Sequence, residues 1–207
     1  SVTDLDDVSP LITGNNGGAG SSTSSVSVNE NQTTVDTFTA NETVTWSLNG
    51  GADASKFNIN SSTGALSFSS APDFESPSDA NSGNDYVVIV RATDSASNTS
   101  DQTVTVSVTD LDDTNPLITG NNGGAGSSTS SVSVNENQTT VDTFTANETV
   151  SWSLNGGADA SKFNINSSSG ALSFSSAPDF ENPSDANSGN DYVVIVRATD
   201  SASNTSD

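Results

Sequence analysis

The chain has 207 residues, with 4 Lys and Arg against 26 Asp and Glu and a formal net charge of -22. That balance excludes nucleic acid as a partner, because a duplex is bound by neutralising its phosphates with cationic side chains. Carboxylates at this density repel one another unless salt or a divalent cation intervenes, and calcium is the natural counter-charge. Cys, His and Met are absent, which removes the thiol nucleophile, the imidazole base, zinc sites and disulfide staples together. No apolar run approaches the roughly 18 residues of a membrane span. No signal peptide opens the chain, so in a secreted protein it would be an internal piece.

The segment Ser1 to Asp101 recurs as Ser107 to Asp207, an offset of 106 residues by which Leu11 becomes Leu117. Only Val8/Thr114, Ser9/Asn115, Thr45/Ser151, Thr63/Ser169 and Ser76/Asn182 differ between the copies. Copies this similar point to a module selected for number and length, since distinct binding sites call for distinct sequences. The expected organisation is the tail of a preceding repeat and linker (1–8), repeat 1 (9–109), a calcium-binding linker (110–114) and repeat 2 (115–207).

In chain order, Thr13 to Ser25 is too poor in apolar residues for a core strand and reads as a flexible loop leading into the repeat. Seven short alternating segments follow: Val26 and Val28; Val35 to Phe38; Val44, Trp46 and Leu48; Phe57 and Ile59; Leu66 and Phe68; Tyr86 to Ala92; and Val104 to Val108. Gly, Asn, Asp, Ser and Pro separate them, the pattern of an all-β sandwich. Ala52 to Lys56 has the length of one helical turn, and Asp53 and Asp159 read as caps of it. Trp46 and Trp152 alternate in phase with neighbouring apolar residues, a core position and not a sugar-stacking platform. Thr103 and Thr105 suit a solvent-facing strand. The polar loop Ser69 to Asp85 has a length often associated with function, and the roles of Asp79 and Asp85 within it stay open. The counterpart of strand Val104 to Val108 would begin after Asp207, so repeat 2 is expected to lack its last strand and to expose an edge or have it filled by a neighbour.

The acids concentrate at strand ends. VTDLDDTNP places Asp110, Asp112 and Asp113 just before a Pro that stops the ladder. NEN (Asn29 to Asn31) follows the first strand, and PDFE (Pro72 to Glu75) lies in the long loop. Single Asp and Asn residues at such places are often turn formers. Three carboxylates in four residues need a cation, and calcium takes six to eight oxygens in a flexible geometry.

These motifs together resemble cadherin repeats, especially the cadherin-like repeats of large bacterial RTX-type surface adhesins, over essentially the whole chain, twice. The resemblance implies an all-β fold of two tandem Greek-key sandwiches, cadherin- or immunoglobulin-like, joined end to end. It implies Ca²⁺ ligands in VNEN (Glu30, Glu136), in DFE (Asp73 with Glu75, Asp179 with Glu181), in DLDD (Asp110, Asp112, Asp113, with Thr114 offering only a carbonyl) and in ATD (Asp94, Asp200). The family's D-x-D segment is replaced here by ANET, with Asn147 and Glu148 nearest to hand, which leaves the number of ions open. The complete junction would comprise Glu30, Asp73, Glu75, Asp110, Asp112, Asp113, Glu148 and Asp200. Asp4, Asp6, Asp7, Glu42, Asp94, Glu136, Asp179 and Glu181 would form half-sites.

The implied role is a non-enzymatic, calcium-rigidified extender of a bacterial surface or secreted protein, holding a distal binding domain away from the cell. The alternatives are direct homotypic or polysaccharide adhesion by the repeats, and a spacer within a secreted polysaccharide-degrading enzyme. The expected partners are identical neighbouring repeats, with a cell-surface protein or polysaccharide as a further class. A glycosidase pair needs a pocket to raise one carboxyl, and acids clustered at exposed strand ends do not supply it.

Overall fold

The structure, a computed structural model, describes residues 7–207; Asp4 and Asp6 lie outside them. The chain divides into two units, Ser1–Leu111 and Asp112–Asp207, each with its own apolar core.

The first unit contains β1 (Ile12–Thr13), β2 (Thr23–Asn29), β3 (Thr34–Thr37), β4 (Thr39–Ala40), β5 (Thr45–Leu48), β6 (Phe57–Ile59), β7 (Ala65–Phe68), β8 (Asp85–Thr93) and β9 (Thr99–Thr109). One sheet has the order β2-β9-β8-β5, a second β3-β7-β6, and β1 pairs with β4. Strand periodicity decides which side chains are inside: Tyr86, Val88, Val90 and Ala92 of β8 and Val104, Val106 and Val108 of β9 are buried. Val87, Ile89, Thr103 and Thr105 alternate with them on the other face. Phe38, Phe57, Leu66 and Phe68 complete the core. Phe57 stacks on Phe68 with centroids 4.6 Å apart, and Tyr86 meets Phe68 edge-on at 5.1 Å. Trp46 and Trp152 are buried at equivalent positions. Each such large apolar side chain contributes roughly 1.5–3 kcal/mol on burial.

Two expectations need correction. Thr13 to Ser25 is not a flexible loop, because Thr13 closes β1 and Thr23 opens β2. The residues between are tied down: Asn15 N–H donates to Asp36 Oδ2 at 2.9 Å, and the buried Gln102 donates from Nε2 to the Ser21 carbonyl at 2.8 Å. Gly14 is required there, since a Cβ would lie 2.6 Å from Gln102 Oε1 and 2.7 Å from the Phe38 ring. Asp53 and Asp159 do not cap the 3₁₀ turns Ala54–Lys56 and Ala160–Lys162, which carry no side-chain cap bond. Both are buried and clamp the chain further on. Asp53 accepts the N–H groups of Ala80 (2.7 Å) and Val87 (2.8 Å), and Asp159 those of Ala186 and Val193.

The second unit contains β10 (Ile118–Thr119), β11 (Thr140–Thr143), β12 (Thr145–Ala146), β13 (Ser151–Leu154), β14 (Phe163–Ile165), β15 (Ala171–Phe174), β16 (Val196–Thr199) and β17 (Thr205–Ser206). It repeats the β11-β15-β14 layer of the first unit, but its other sheet holds only β13-β16-β17. The ladder that runs from Asp85↔Ser107 to Thr93↔Thr99 in the first unit is represented by Ala198↔Ser206 and Thr199↔Thr205. An apolar groove of about 690 Å³, lined by Val132, Val134, Phe174, Tyr192, Val194 and Val196 among others, lies open beside it. Their sequence counterparts in the first unit surround β9.

Because those lining residues are the same in both repeats, a peptide of the sequence Gln102 to Thr109 should bind the chain and stabilise the second unit. At a hundredfold excess over its dissociation constant the gain should be about 2.7 kcal/mol. Differential scanning calorimetry should show the lower-melting transition rising with this peptide and not with one carrying Asp at the positions of Val104 and Val106.

Candidate metal centres

Three groups of carboxylates converge, each within one unit, with ligand oxygens within 4.8 Å of one another: Glu30, Asp73 and Glu75; Asp112, Glu148 and Asp200; Glu136, Asp179 and Glu181. Oxygens sharing one Ca²⁺ at 2.3–2.6 Å can be at most about 5 Å apart, so the spacing fits that ion.

Glu30 follows β2, where Asn31 turns the chain with a left-handed φ of 61°. Glu30 is only 1 % exposed. Its Oε1 accepts the Leu111 N–H at 2.9 Å and its Oε2 the Phe74 N–H at 2.8 Å. A buried carboxylate is costly unless it is hydrogen-bonded, and both bonds come from backbone beside other acids. Phe74 lies between Asp73 and Glu75, so the bond draws the DFE segment onto Glu30. Asn31 N–H donates to the Pro72 carbonyl at 3.0 Å and secures the same segment. In the second unit Glu136 Oε2 accepts the Phe180 N–H at 3.0 Å, but Glu136 and Phe180 are both exposed.

The second group assembles around the linker. Asp200 follows β16; its Oδ1 accepts the Asn204 N–H at 2.8 Å and its Oδ2 the Asn204 side-chain amide at 2.9 Å. The same amide donates to the Asp112 carbonyl at 3.1 Å, so Asn204 couples the two acids. Glu148 follows β12, where Asn147 pins the chain: its Oδ1 accepts the Leu117 N–H at 2.6 Å and its own N–H donates to the Leu117 carbonyl. The two acids titrate in opposite directions. Desolvation raises the Glu148 carboxyl, and the charges of Asp112 and Asp200 raise it further. Desolvation also works to raise Asp200, but the Asn204 side chain and backbone amides outweigh it and hold that carboxyl below the usual range.

In the first unit Asp94 accepts from Ala96 N–H, Asn98 N–H and the Asn98 side chain, each at 2.8 Å. The counterpart of Asp112 there is Asp6, outside the described residues, so the partner of Asp94 and Glu42 is not in view. Asp7, Asp110 and Asp113 fall in none of the three groups. Sequence reasoning missed Asn98 and Asn204, which orient their Asp from four residues on, and Asn84. A half-buried Asn at the end of a polar loop has no motif to mark it.

The donor set is oxygen only, with neither His nor Cys in the chain, which suits a hard cation such as Ca²⁺ and not zinc.

No protein-family model matches the chain, and no curated protein matches it. Solved structures do. Protocadherin gammaB7 EC3-6, a cis-dimer structure, is 26 % identical over 89 % of this chain and 43 % of its own, with a TM-score of 0.51. Mouse cadherin-23 EC22-24 is 20 % identical over 96 % of this chain and 63 % of its own, with a TM-score of 0.53. Human protocadherin-24 EC1-2 is 17 % identical over 94 % and 88 %, with a TM-score of 0.58. The chain thus spans less than two thirds of the length of the first two. Its fold is that of cadherin extracellular repeats, two β-sandwiches in tandem.

Proposed function

We propose that the chain is a calcium-rigidified spacer of an RTX-type bacterial surface adhesin, in which tandem cadherin-like sandwiches hold a distal binding domain away from the cell. The observation that carries this reading is the convergence of Asp112 with Glu148 and Asp200. A linker acid meets two strand-end acids, one of them the Glu of the atypical ANET segment. On the other side of a single peptide bond, the Leu111 N–H is held by Glu30. The linker is therefore gripped through an acid cluster in each unit, and a divalent ion at each would make both grips firm.

Spacing is favoured over adhesion by the exposed surface. Of the exposed large apolar side chains among the described residues, Leu11 and Leu117 recur at equivalent positions, at 45 % and 47 % exposure. An isolated leucine is ordinary surface and not an interaction patch. Calcium supplies charge neutralisation in this reading; the chain's own residues supply the geometry.

Small-angle scattering of the whole chain should show a broader distance distribution in chelator than in calcium, and Asp112→Asn should resemble the chelated state even with calcium present. At a hundredfold excess over the dissociation constant, calcium favours the liganded state by about 2.7 kcal/mol, a population shift of about a hundredfold. Scattering insensitive to chelator would sink the hinge-locking mechanism.

Glu148→Gln should have two opposed effects. A carboxyl whose folded pKa is raised destabilises the fold in its charged form above the unfolded pKa. In chelator at neutral pH the variant should therefore melt higher than wild type. Its calcium affinity should fall because a charged ligand is gone. Calorimetric melting and titration read the two effects separately.

A further inference from the structure

The long loop between β7 and β8 is held by acids and one phenol. Tyr86 Oη accepts the Ser78 N–H at 3.2 Å. Asp53 accepts the Ala80 N–H, as described above. The buried Asp79 accepts Gly83 N–H at 3.0 Å and Asn84 N–H at 3.2 Å. These bonds deliver Asn84 in the left-handed region, φ 62°, which Asn tolerates better than most residues. From there Asn84 Nδ2 donates to the Phe74 carbonyl at 2.9 Å. Phe74 is thus clasped on both sides: its N–H by Glu30 Oε2 and its carbonyl by Asn84. The clasped residue is the one between Asp73 and Glu75.

The rest of Asn84 points to the same role. Its Oδ1 is buried without a hydrogen-bond partner, a condition that costs about 1–3 kcal/mol. The side chain is retained for its donor. The clasp recurs in the second unit, where Asn190 (φ 64°) donates to the Phe180 carbonyl at 3.0 Å and Asp185 accepts its N–H at 3.2 Å. It does so although Glu136 and Phe180 are exposed there, so the clasp belongs to the loop and not to the packing around it.

We propose that Asn84 and Asn190 are positioning residues of the metal centres, fixing the acids on either side of Phe74 and Phe180 at the spacing a single Ca²⁺ requires. This rests on the calcium reading above. Asn84 touches no metal; it acts through the Phe74 peptide.

The test uses the whole chain with Asn84→Gly, Asn190→Gly and the double variant, since glycine keeps the left-handed backbone while removing the side-chain donor together with the amide oxygen, which in Asn84 is unpartnered. Calcium titration should show one class of sites weakened about 10- to 100-fold in each single variant and two classes in the double, the usual effect of losing an outer support. Terbium bound at the affected centre should show a shorter luminescence lifetime, because a loosened loop admits water to the ion. Circular dichroism in chelator establishes that each variant is folded, and the two repeats give independent trials. If wild type binds neither calcium nor terbium, the calcium reading itself fails. If wild type binds and folded variants keep its affinity and lifetime, Asn84 and Asn190 are merely structural and the inference is overturned.

Discussion

The structure depends on carboxylates that accept backbone N–H groups in place of cations. With 4 Lys and Arg in the chain, most buried acids cannot be paired by charge. Arg91 and Arg197 are already engaged by Asp101 and Asp207 at 2.7 Å. Glu30, Asp53, Asp79 and Asp94 instead each gather two or more amides. Glu30 and Asp53 thereby become staples between segments far apart in sequence, while Asp79 and Asp94 close turns within their own loops. Desolvation works to raise Asp79, but the amides of Gly83, Asn84 and Asn81 outweigh it and lower its carboxyl below the usual range. Its hold on the turn is fully effective above the unfolded value and lost as pH falls through the folded one.

The same device serves both fold and site. Asp53 holds the polar loop against β8, the loop places Asn84, and Asn84 holds the peptide that carries Asp73 and Glu75. Glu30 contributes one bond to this chain of supports and another to the linker at Leu111. An acid that ends a strand therefore belongs to the scaffold and to the candidate centre together, and changing it alters both.

The strands of the sandwich were legible because their apolar residues alternate in phase, as Val104, Val106 and Val108 do against Thr103, Thr105 and Ser107. Ile12 was not: a lone apolar pair beside glycines carries no period, and its core place comes from pairing with Ala40. Asp53 was misread for a related reason. Local spacing suggested a cap, while its bonds go to residues 27 and 34 positions away, a distance at which sequence pattern is silent. Among the candidate ligands, short motifs singled out Glu30, Asp73, Glu75 and Asp200, and Glu148 as the nearest acid where the D-x-D segment is replaced; these acids converge in two of the three groups. Of the Asn residues that orient them, Asn84 was invisible because its partner is a backbone carbonyl, which every residue offers, and Asn204 because an Asn four residues after an Asp marks no motif.

The split first strand has a mechanical consequence. β1 pairs with β4 and β2 crosses to pair with β9, parallel and in unbroken register from Thr23↔Thr103 to Asn29↔Thr109. Tension pulling β2 by its leading end and β9 by its trailing end loads this ladder from opposite ends, so its hydrogen bonds bear the load side by side, in shear. An antiparallel pair pulled from adjacent ends opens one bond at a time, like a zip. A repeat whose outermost strands are joined in parallel resists extension as a clamp, and Gln102, locked to Ser21 and Ser24, sits at the mouth of that clamp.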